Sequence, residues 1–290
     1  MCIQLPLQQK NLMIFEKDKE IEALGRTHYN AKFQNDISFR IVKNNNTNWK
    51  LMVCMYSSQL GLDNLKFIEK AQCKTLSEAK DWCEEMAERF AKDTGIDKQT
   101  IETYNQNAES IAELHSSLTP NRIYELINKY FAKGKDTVDI GCGIGRDVNW
   151  LNSNGFPAVG VDASDGMIKE AKKLYPTLEF KLDYLPALNC FDYEQFSNIL
   201  CSAVLMHMNE NAVISACLRM SQLLKSNGHI IISFRSTVSE DGRENGKLYT
   251  PINIETVKQI FEQNNCEIVL YETEVEPQRQ LTWHNFVIKK

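Results

Sequence analysis

The sequence predicts an α/β protein in which a mostly parallel sheet is covered by helices on both faces, with a small α+β unit in front of it. From about residue 137, short apolar segments alternate with segments of helical periodicity. A glycine-rich turn joins the first of these segments to a helix. The chain has 290 residues, 43% of them hydrophobic, which is enough for two domains with their own cores.

The composition argues against several classes of protein. No apolar run reaches the roughly 20 residues that span a bilayer. The N-terminal segment lacks the cleavage site of a signal peptide, so we expect a cytoplasmic protein without a membrane partner. The nine cysteines include no C-x-x-C pair and predict neither a disulfide framework nor a metal site. The net charge of −5 divides into +1 for residues 1–100 and −6 for residues 101–290, so nothing requires a nucleic-acid partner.

Residues 1–100 predict a small accessory domain for interaction, substrate recruitment or lid closure. Thr75 and Glu78 have the spacing of a capping box, which predicts the start of a helix. The helix resembles, in shape and in its T-x-x-E-A start only, one in the strand–strand–strand–helix arms of some DNA-binding proteins. A protein or nucleic-acid partner of this domain is therefore kept as an alternative. The predicted strands are 38–43, 49–56 and 65–70, and the apolar helix positions are Ala79, Trp82, Met86 and Phe90.

Residues 101–290 predict the larger domain, after a junction at 93–100. We expect a polar helix over 101–117, and then a helix with Thr119 as N-cap and Pro120 at its first position. The last two strands leave no room for a helix between them, so we expect an antiparallel pair at the sheet edge. The predicted strands are 137–140, 158–161, 178–182, 198–203, 229–234, 267–272 and 282–289. The further predicted helices are 145–154, 165–174, 209–225 and 253–264.

The strongest signal is the segment V-D-I-G-C-G-I-G-R-D at 138–147. Its glycines allow a tight turn to which a ligand can come close. Their G-x-G-x-G spacing differs from the G-x-G-x-x-G of dinucleotide sites. Asp139 precedes the turn, where it would repel a pyrophosphate and attract a cationic ligand. Asp162 ends the next strand, where a carboxylate can accept hydrogen bonds from both hydroxyls of a ribose.

These residues resemble the core of the class I S-adenosylmethionine-dependent methyltransferases over 138–235, and more loosely over 101–290. The resemblance implies a seven-stranded Rossmann-like sheet, mostly parallel with the last strand antiparallel. It also implies S-adenosylmethionine as cofactor and S-adenosylhomocysteine as product. The G-R-D at 145–147 and the closing W-x-x-x-x-I-K-K resemble a bacterial branch of this family.

The same resemblance implies the cofactor contacts. Asp139 and the glycine turn would surround the methionine portion, Asp162 would bind the ribose, and Asp183 would hold the adenine amino group. The full set of predicted cofactor residues is Tyr104, Asp139, Gly141, Cys142, Gly143, Gly145, Arg146, Asp162, Ala163, Met167, Asp183, Tyr184, Leu185, Ser202 and Val204. Three parts of this set have a structural alternative: the glycines could form a plain strand–helix turn, Asp162 could cap a helix before Ser164, and Asp183 could be a turn residue.

Two residues are candidates for catalysis. His207 follows the fourth core strand, where it could act as a general base, or it could begin a helix or pack under the cofactor. Arg235 ends the fifth core strand, where it could bind an acidic substrate group or pair with a carboxylate of the protein. The polar segment 239–251 is placed to shape an acceptor pocket.

The class of methyl acceptor is inferred mainly from motifs that the sequence lacks. The residues that end the fourth strand read C-S-A-V, without the D/N-P-P-Y/F/W motif of nucleic-acid amino methylation or the Pro-Cys pair of cytosine-carbon methylation. We therefore expect a small-molecule O or N nucleophile. The alternatives are a tRNA or protein acceptor recruited by residues 1–100, and a methyltransferase-fold module that only binds or senses. A nicotinamide-dependent oxidoreductase is disfavoured by the glycine spacing.

Overall fold

The structure, a computed structural model, divides the chain into two compact units, residues 1–92 and 93–290. In the first unit it describes five strands within residues 16–73, and then residues 74–81. In the second unit it describes residues 97–236, 242–276 and 281–290. No helix within these ranges is long and apolar enough to cross a bilayer.

The first unit contains a five-stranded antiparallel sheet in the order β1-β2-β3-β4-β5. The three predicted strands correspond to β3, β4 and β5. The sequence analysis missed β1 and β2, because both are short and lack an alternating apolar pattern. The strands are Glu16–Lys17, His28–Lys32, Ile37–Lys43, Trp49–Met55 and Lys66–Cys73.

The capping box of the first unit is confirmed. Helix α1 is described over 76–81. The Glu78 amide donates to Thr75 Oγ1 at 3.1 Å, and the Thr75 amide donates to Glu78 Oε2 at 3.3 Å. Ala79 is completely buried, as the apolar stripe predicts. The remaining stripe positions, Trp82, Met86 and Phe90, lie outside the described residues.

The second unit is built on a seven-stranded sheet in the order β13-β14-β10-β9-β6-β7-β8. Only β14 runs antiparallel to its neighbours, β10 and β13, which confirms the predicted fold class. The first strand of this sheet along the chain, β6, lies between β7 and β9. The chain adds β7 and then β8 on one side of β6, and then crosses to form β9 on its other side. The strands are Thr137–Ile140, Ala158–Asp162, Phe180–Leu182, Phe196–Ser202, Leu224–Arg235, Glu267–Glu276 and Leu281–Lys289, for β6 to β10, β13 and β14.

Helices cover both faces of this sheet, and four of them match the predicted core helices within one or two residues. Two other predictions were wrong. The helix expected over 101–117 is two helices that meet at Asn107, whose φ of −112° and ψ of 18° are not helical and whose side-chain amide donates to the Thr103 carbonyl at 2.8 Å. Thr119 is not an N-cap: Pro120 holds that position with ψ 70°, and the helix begins at Asn121. The helices are Lys98–Gln106, Ala108–Ser116, Asn121–Tyr130, Arg146–Ser153, Asp165–Leu174, Glu210–Leu223 and Ile254–Gln263, for α2 to α8.

Helix α4 anchors one face of the sheet. Its apolar stripe, which includes Leu126 and Ile127, packs against Leu200 of β9 and Ile231 of β10. All four side chains are at most 1% exposed. This packing positions the central strands whose ends form the site.

We expect Leu126→Ala to lower the free energy of unfolding by about 2–5 kcal/mol, because it leaves a cavity in this cluster. Urea unfolding followed by circular dichroism measures the change. Leu114→Ala is the matched control, since Leu114 is 59% exposed and should cost little. Equal losses in the two variants would contradict the assignment of α4 to the core.

Candidate functional site

A cavity of about 640 Å³ opens where the central parallel strands end, and the residues that line it all belong to the second unit. Its walls include the residues that follow β6, β7, β8 and β9. Ligands of open parallel sheets bind beyond the carboxyl ends of the strands, at the point where the strand order reverses. The volume lies within the range of small-molecule sites.

The turn after β6 forms the floor of this cavity. Gly141 has φ +74°, and a Cβ on it would lie 2.1 Å from Val204 Cγ2. The amides of Gly141 and Cys142 donate to the Val161 carbonyl at 2.7 and 3.0 Å, which joins the turn to β7. A side chain at position 141 would therefore push apart segments that belong to neighbouring strands.

Asp162 faces the cavity from the end of β7. Its Oδ2 accepts from the Gly143 amide and its Oδ1 from the Ser164 amide, each at 2.8 Å. Burial raises the pKa of this carboxyl, and those two hydrogen bonds oppose the rise. Each oxygen keeps a lone pair for a further donor. The alternative of Asp162 as helix cap does not fit, because Ser164 caps α6 by accepting from the Met167 amide.

Asp139 is a buried carboxyl with an unmet hydrogen-bonding need. It is 2% exposed, does not line the cavity, and its Oδ2 has no hydrogen-bond partner among the described residues. Burial and the charge of Asp147 raise the pKa of Asp139 well above its ordinary value. Asp147 itself accepts from Tyr124 and Arg146. A positive charge near Asp139 would stabilise its ionised form.

Two further predicted residues line the cavity but use their polar groups within the protein. Arg146 donates to Asp147 and to the carbonyls of His115 and Leu118, at 3.4 and 3.3 Å. Asp183 accepts from the amides of Tyr184 and Cys190, both at 2.8 Å, as a turn residue does. In these contacts Arg146 joins α5 to the end of α3, and Asp183 holds the turn that follows β8.

His207 also lines the cavity, in a single 3-10 turn at Leu205–His207. Its Nδ1 lies 2.6 Å from the Leu248 carbonyl, which can only accept, so Nδ1 carries the ring proton. Nε2 therefore has a free lone pair, and the Tyr104 hydroxyl donates to it at 3.3 Å. Burial lowers the pKa of His207 to about 4, so the ring is neutral near pH 7.

Arg235 is not among the residues that line the cavity. Its guanidinium binds Glu244 at 2.5 Å and lies 3.8 Å from the centre of the Tyr249 ring. Tyr249 in turn packs edge-on against the His207 ring, with the centroids 4.8 Å apart. The guanidinium of Arg235 therefore packs on Tyr249, which in turn packs on His207, and helps to hold that ring in place.

The segment predicted as a polar loop at 239–251 contains a short hairpin, Arg243–Glu244 paired with Lys247–Leu248 as β11 and β12. Arg243 binds Asp97 at 2.6 Å, and the Leu248 amide donates to Thr100 Oγ1 at 2.8 Å. These contacts tie the hairpin to α2, which carries Tyr104 into the cavity wall. Residues 239–241 lie outside the described part of the chain.

The structure brings most of the predicted site together. Asp139, Gly145 and Arg235 do not line the cavity, although Gly145 caps α5 with φ +79°. The sequence analysis missed Trp283 and Asn285 of β14, which line the cavity, and Tyr249 and the Leu248 carbonyl behind His207. The alternation of β14 shows that Trp283 and Asn285 share one face of the strand, but it does not show what that face meets. A main-chain carbonyl such as that of Leu248 leaves no signal in the sequence. The predicted residues that line the cavity are Tyr104, Gly141, Cys142, Gly143, Arg146, Asp162, Ala163, Met167, Asp183, Tyr184, Leu185, Ser202, Val204 and His207.

Comparison with known proteins identifies the domain around this cavity. The methyltransferase domain family matches residues 138–232. This match covers about a third of the chain. The methyltransferase domain therefore covers the glycine turn, Asp162 and His207, which confirms the family expected from the sequence.

Individual relatives of the methyltransferase domain are distant. A protein of Geobacillus sp. (strain WCH70) that bears the name of a methyltransferase is 27% identical over 124 residues, which is 41% of this chain and 50% of that protein. A protein of Invertebrate iridescent virus 6, also named as a methyltransferase, is 40% identical over 53 residues, 18% of this chain and 20% of the relative. The chain thus spans half or less of the curated relatives it matches.

A solved structure supports the fold of the second unit. It is the complex between the Haloferax volcanii Trm112 methyltransferase activator and a methyltransferase. One chain of it matches with a TM-score of 0.54 and 13% identity, over 66% of this chain and 96% of that chain. At this identity the likeness shows the fold alone.

We expect Asp97→Asn to remove an acid-sensitive part of the stability. Asn keeps the N-cap bond to Thr100 but loses the ion pair with Arg243. Burial raises the pKa of Asp97, but its bonds to Arg243 and Thr100 outweigh this and lower it to about 2, from 3.8. The pair therefore stabilises the fold above pH 3.8, and its contribution is lost as the pH falls toward 2.

Urea unfolding at several pH values measures this effect. The variant should be less stable by about 1 kcal/mol at pH 7, and the gap should narrow below pH 4. Asp165→Asn is the control, since its pair with Lys169 is exposed. A gap that does not depend on pH would rule out the ion pair as its cause.

Proposed function

We propose that the second unit binds S-adenosylmethionine in the cavity and transfers its methyl group to an N–H or O–H nucleophile of a small molecule. The observation that carries this proposal is the pairing of the Gly141 turn with the Asp162 carboxylate at the reversal point of the sheet. The methyltransferase domain family at 138–232 supports it.

The residues present fit the adenosyl part of this cofactor. Asp162 has lone pairs free on both oxygens and faces the cavity, so it can accept from the two ribose hydroxyls. Met167 is 1% exposed and lines the same part of the wall, where it offers an apolar surface to a base. A Cβ on Gly143 would meet only Met167 Cε, at 3.5 Å, so the backbone of the turn is open to close approach there.

The residues also fit the positive charge of the cofactor. Asp139 is a buried and Asp162 a half-buried carboxyl, and desolvation is the main cause that raises the pKa of each. Among the described residues, no Lys or Arg forms an ion pair with either of them. A cation bound in the cavity would favour their ionised forms, and in return they would hold it there.

When bound, S-adenosylmethionine supplies an already activated methyl group on a sulfonium. The chain has to hold a nucleophile in line with that methyl group, and such positioning can account for roughly 7–11 kcal/mol of the barrier. Ser202 ends β9, Val204 packs against the glycine turn, and His207 follows in the same segment with the Tyr104 hydroxyl beside its Nε2. The acceptor would lie next to that Nε2.

His207 is the residue we assign to the proton of the nucleophile. Its Nε2 accepts a hydrogen bond, so it can orient an N–H or O–H group that replaces the Tyr104 hydroxyl. With a pKa of about 4, the ring is a weak base that stays neutral at physiological pH. This suits a nucleophile that loses its proton as the methyl group is transferred. Arg235 is assigned a supporting role through Tyr249.

Asp162→Asn should weaken binding of S-adenosylmethionine and of S-adenosylhomocysteine by roughly 10- to 100-fold, because both carry the ribose and a charged acceptor is lost. Isothermal titration calorimetry with each ligand measures this. Asp165→Asn, three residues on and exposed, is the matched control and should bind as the unmodified chain does. Absence of binding by the unmodified chain at millimolar ligand would refute the proposal.

The His207 imidazole should titrate near pH 4 and carry its proton on Nδ1 at pH 7, because of burial and the Leu248 carbonyl. Two-dimensional ¹H–¹⁵N NMR of the histidine rings measures both properties, and His207→Gln assigns the signal. Tyr104→Phe should shift only the Nε2 resonance. A midpoint near 6.5, or a proton on Nε2, would exclude the assigned role.

A further inference from the structure

The cavity extends beyond the part that fits the adenosyl group, which follows β6 and β7. Its lining also includes Ser233 of β10, Trp283 and Asn285 of β14, and Glu274 of β13. These three strands lie beyond β9, on the other side of the sheet. Ser233 pairs with Asn285, and Glu274 pairs with Trp283, so the four side chains share one face of the sheet. We call the part of the cavity that they line the acceptor end.

Trp283 offers an aromatic surface at the acceptor end. The side chain is half-buried, and its indole N–H donates to Glu276 Oε2 at 3.3 Å, which holds the edge of the ring against β13. Among the described residues, no other ring stacks on this indole and no Lys or Arg lies over it. Because Trp283 lines the cavity, part of its π surface is available to a ligand there.

Glu274 places a carboxylate beside that indole. Glu274 and Trp283 are directly opposed in the register of β13 and β14, which brings their Cβ atoms to about 5 Å from each other. Glu274 is exposed, and no described residue donates a hydrogen bond to it or forms an ion pair with it. A group bound on Trp283 would therefore lie within reach of a negative charge that the protein leaves uncompensated.

The arginines closest to the acceptor end in the fold are already paired. Arg122 lines the cavity from the start of α4 and donates twice to Glu272 of β13, at 2.6 and 2.7 Å. Arg235 of β10 binds Glu244 at 2.5 Å. An anionic acceptor would therefore meet the Glu274 carboxylate, and among the described residues no unpaired arginine lines this end to compensate for it.

We infer that the acceptor is a small molecule with a positively charged ammonium or guanidinium group, and that this group binds between Trp283 and Glu274. Cations bind over aromatic faces, best over Trp, and a carboxylate adds a charge-assisted bond. The methylated atom needs a lone pair, so it is a different atom from the charged one. Since β14 lies two strands from β9, the charged group would lie roughly 10 Å from the end of β9, which His207 follows.

This inference rests on the proposed function, because it names the class of acceptor for the same cavity. Recognition of charge is nevertheless measurable without methyl transfer. The test uses the full chain saturated with S-adenosylhomocysteine and three probes of similar shape. Choline is a cation, neohexanol is its neutral analogue with carbon in place of nitrogen, and tert-butylacetate is an anion. With ¹⁵N in the tryptophan indoles, the ¹H–¹⁵N signal of Trp283 reports binding, and Trp283→Phe assigns it among the four tryptophans.

Choline should shift the Trp283 signal to saturation and bind roughly 10-fold more tightly than neohexanol, because only the cation gains from the ring and the carboxylate. The anion should bind more weakly than neohexanol. Glu274→Gln should weaken choline binding roughly 3-fold and leave neohexanol binding unchanged. Glu267→Gln is the matched control, since Glu267 is exposed on the same strand and does not line the cavity. Calorimetry with S-adenosylhomocysteine checks that each variant keeps an intact cofactor end.

Several results would overturn the inference. These are binding of neohexanol or the anion as tight as that of choline, no shift of the Trp283 signal at roughly 100 mM choline, and equal losses of choline affinity in the two glutamate variants. A chain that does not bind S-adenosylhomocysteine would instead refute the proposed function. The three probes are then titrated into the chain alone, and the same comparison of their affinities decides the inference.

Discussion

The candidate site depends on a turn that has no room for a side chain. Gly141 ends β6 in a left-handed conformation, against the Val204 side chain that follows β9. Its neighbours bond to the end of β7 through Val161 and Asp162. Since β7 and β9 flank β6 on opposite sides, this one turn joins both halves of the sheet and leaves the cavity open above it.

Burial acts on the titratable groups in and near that cavity. It raises the pKa of Asp139 and Asp162 and lowers the pKa of His207. Both effects favour neutral groups, because desolvation penalises charge of either sign. A cationic ligand would return charge to the carboxyls and leave the imidazole a neutral hydrogen-bond acceptor. The site is thus suited to a charged cofactor and to an acceptor that brings its own proton.

The second unit is acidic overall and holds the polar groups of its candidate site in a cavity. The hairpin β11–β12 supports two parts of that site. Through Arg243 and the main chain of Leu248 it fixes both α2 and the tautomer of His207.

The sequence by itself determined the α/β class, six of the seven core strands to within about two residues at their starts, the glycine turn and Asp162. Apolar periodicity, glycine and helix caps are local signals, so they are legible without the fold. Local signals misjudged the helix break at Asn107 and the start of α4, where the backbone conformation of a single residue, Asn107 or Pro120, sets the boundary. Only the tertiary structure decided that Arg235 forms an ion pair with Glu244 and that the Leu248 carbonyl orients His207. It also decided that Trp283 and Asn285 line the cavity. These outcomes depend on contacts between residues far apart in the chain, and nothing in a local pattern encodes such contacts.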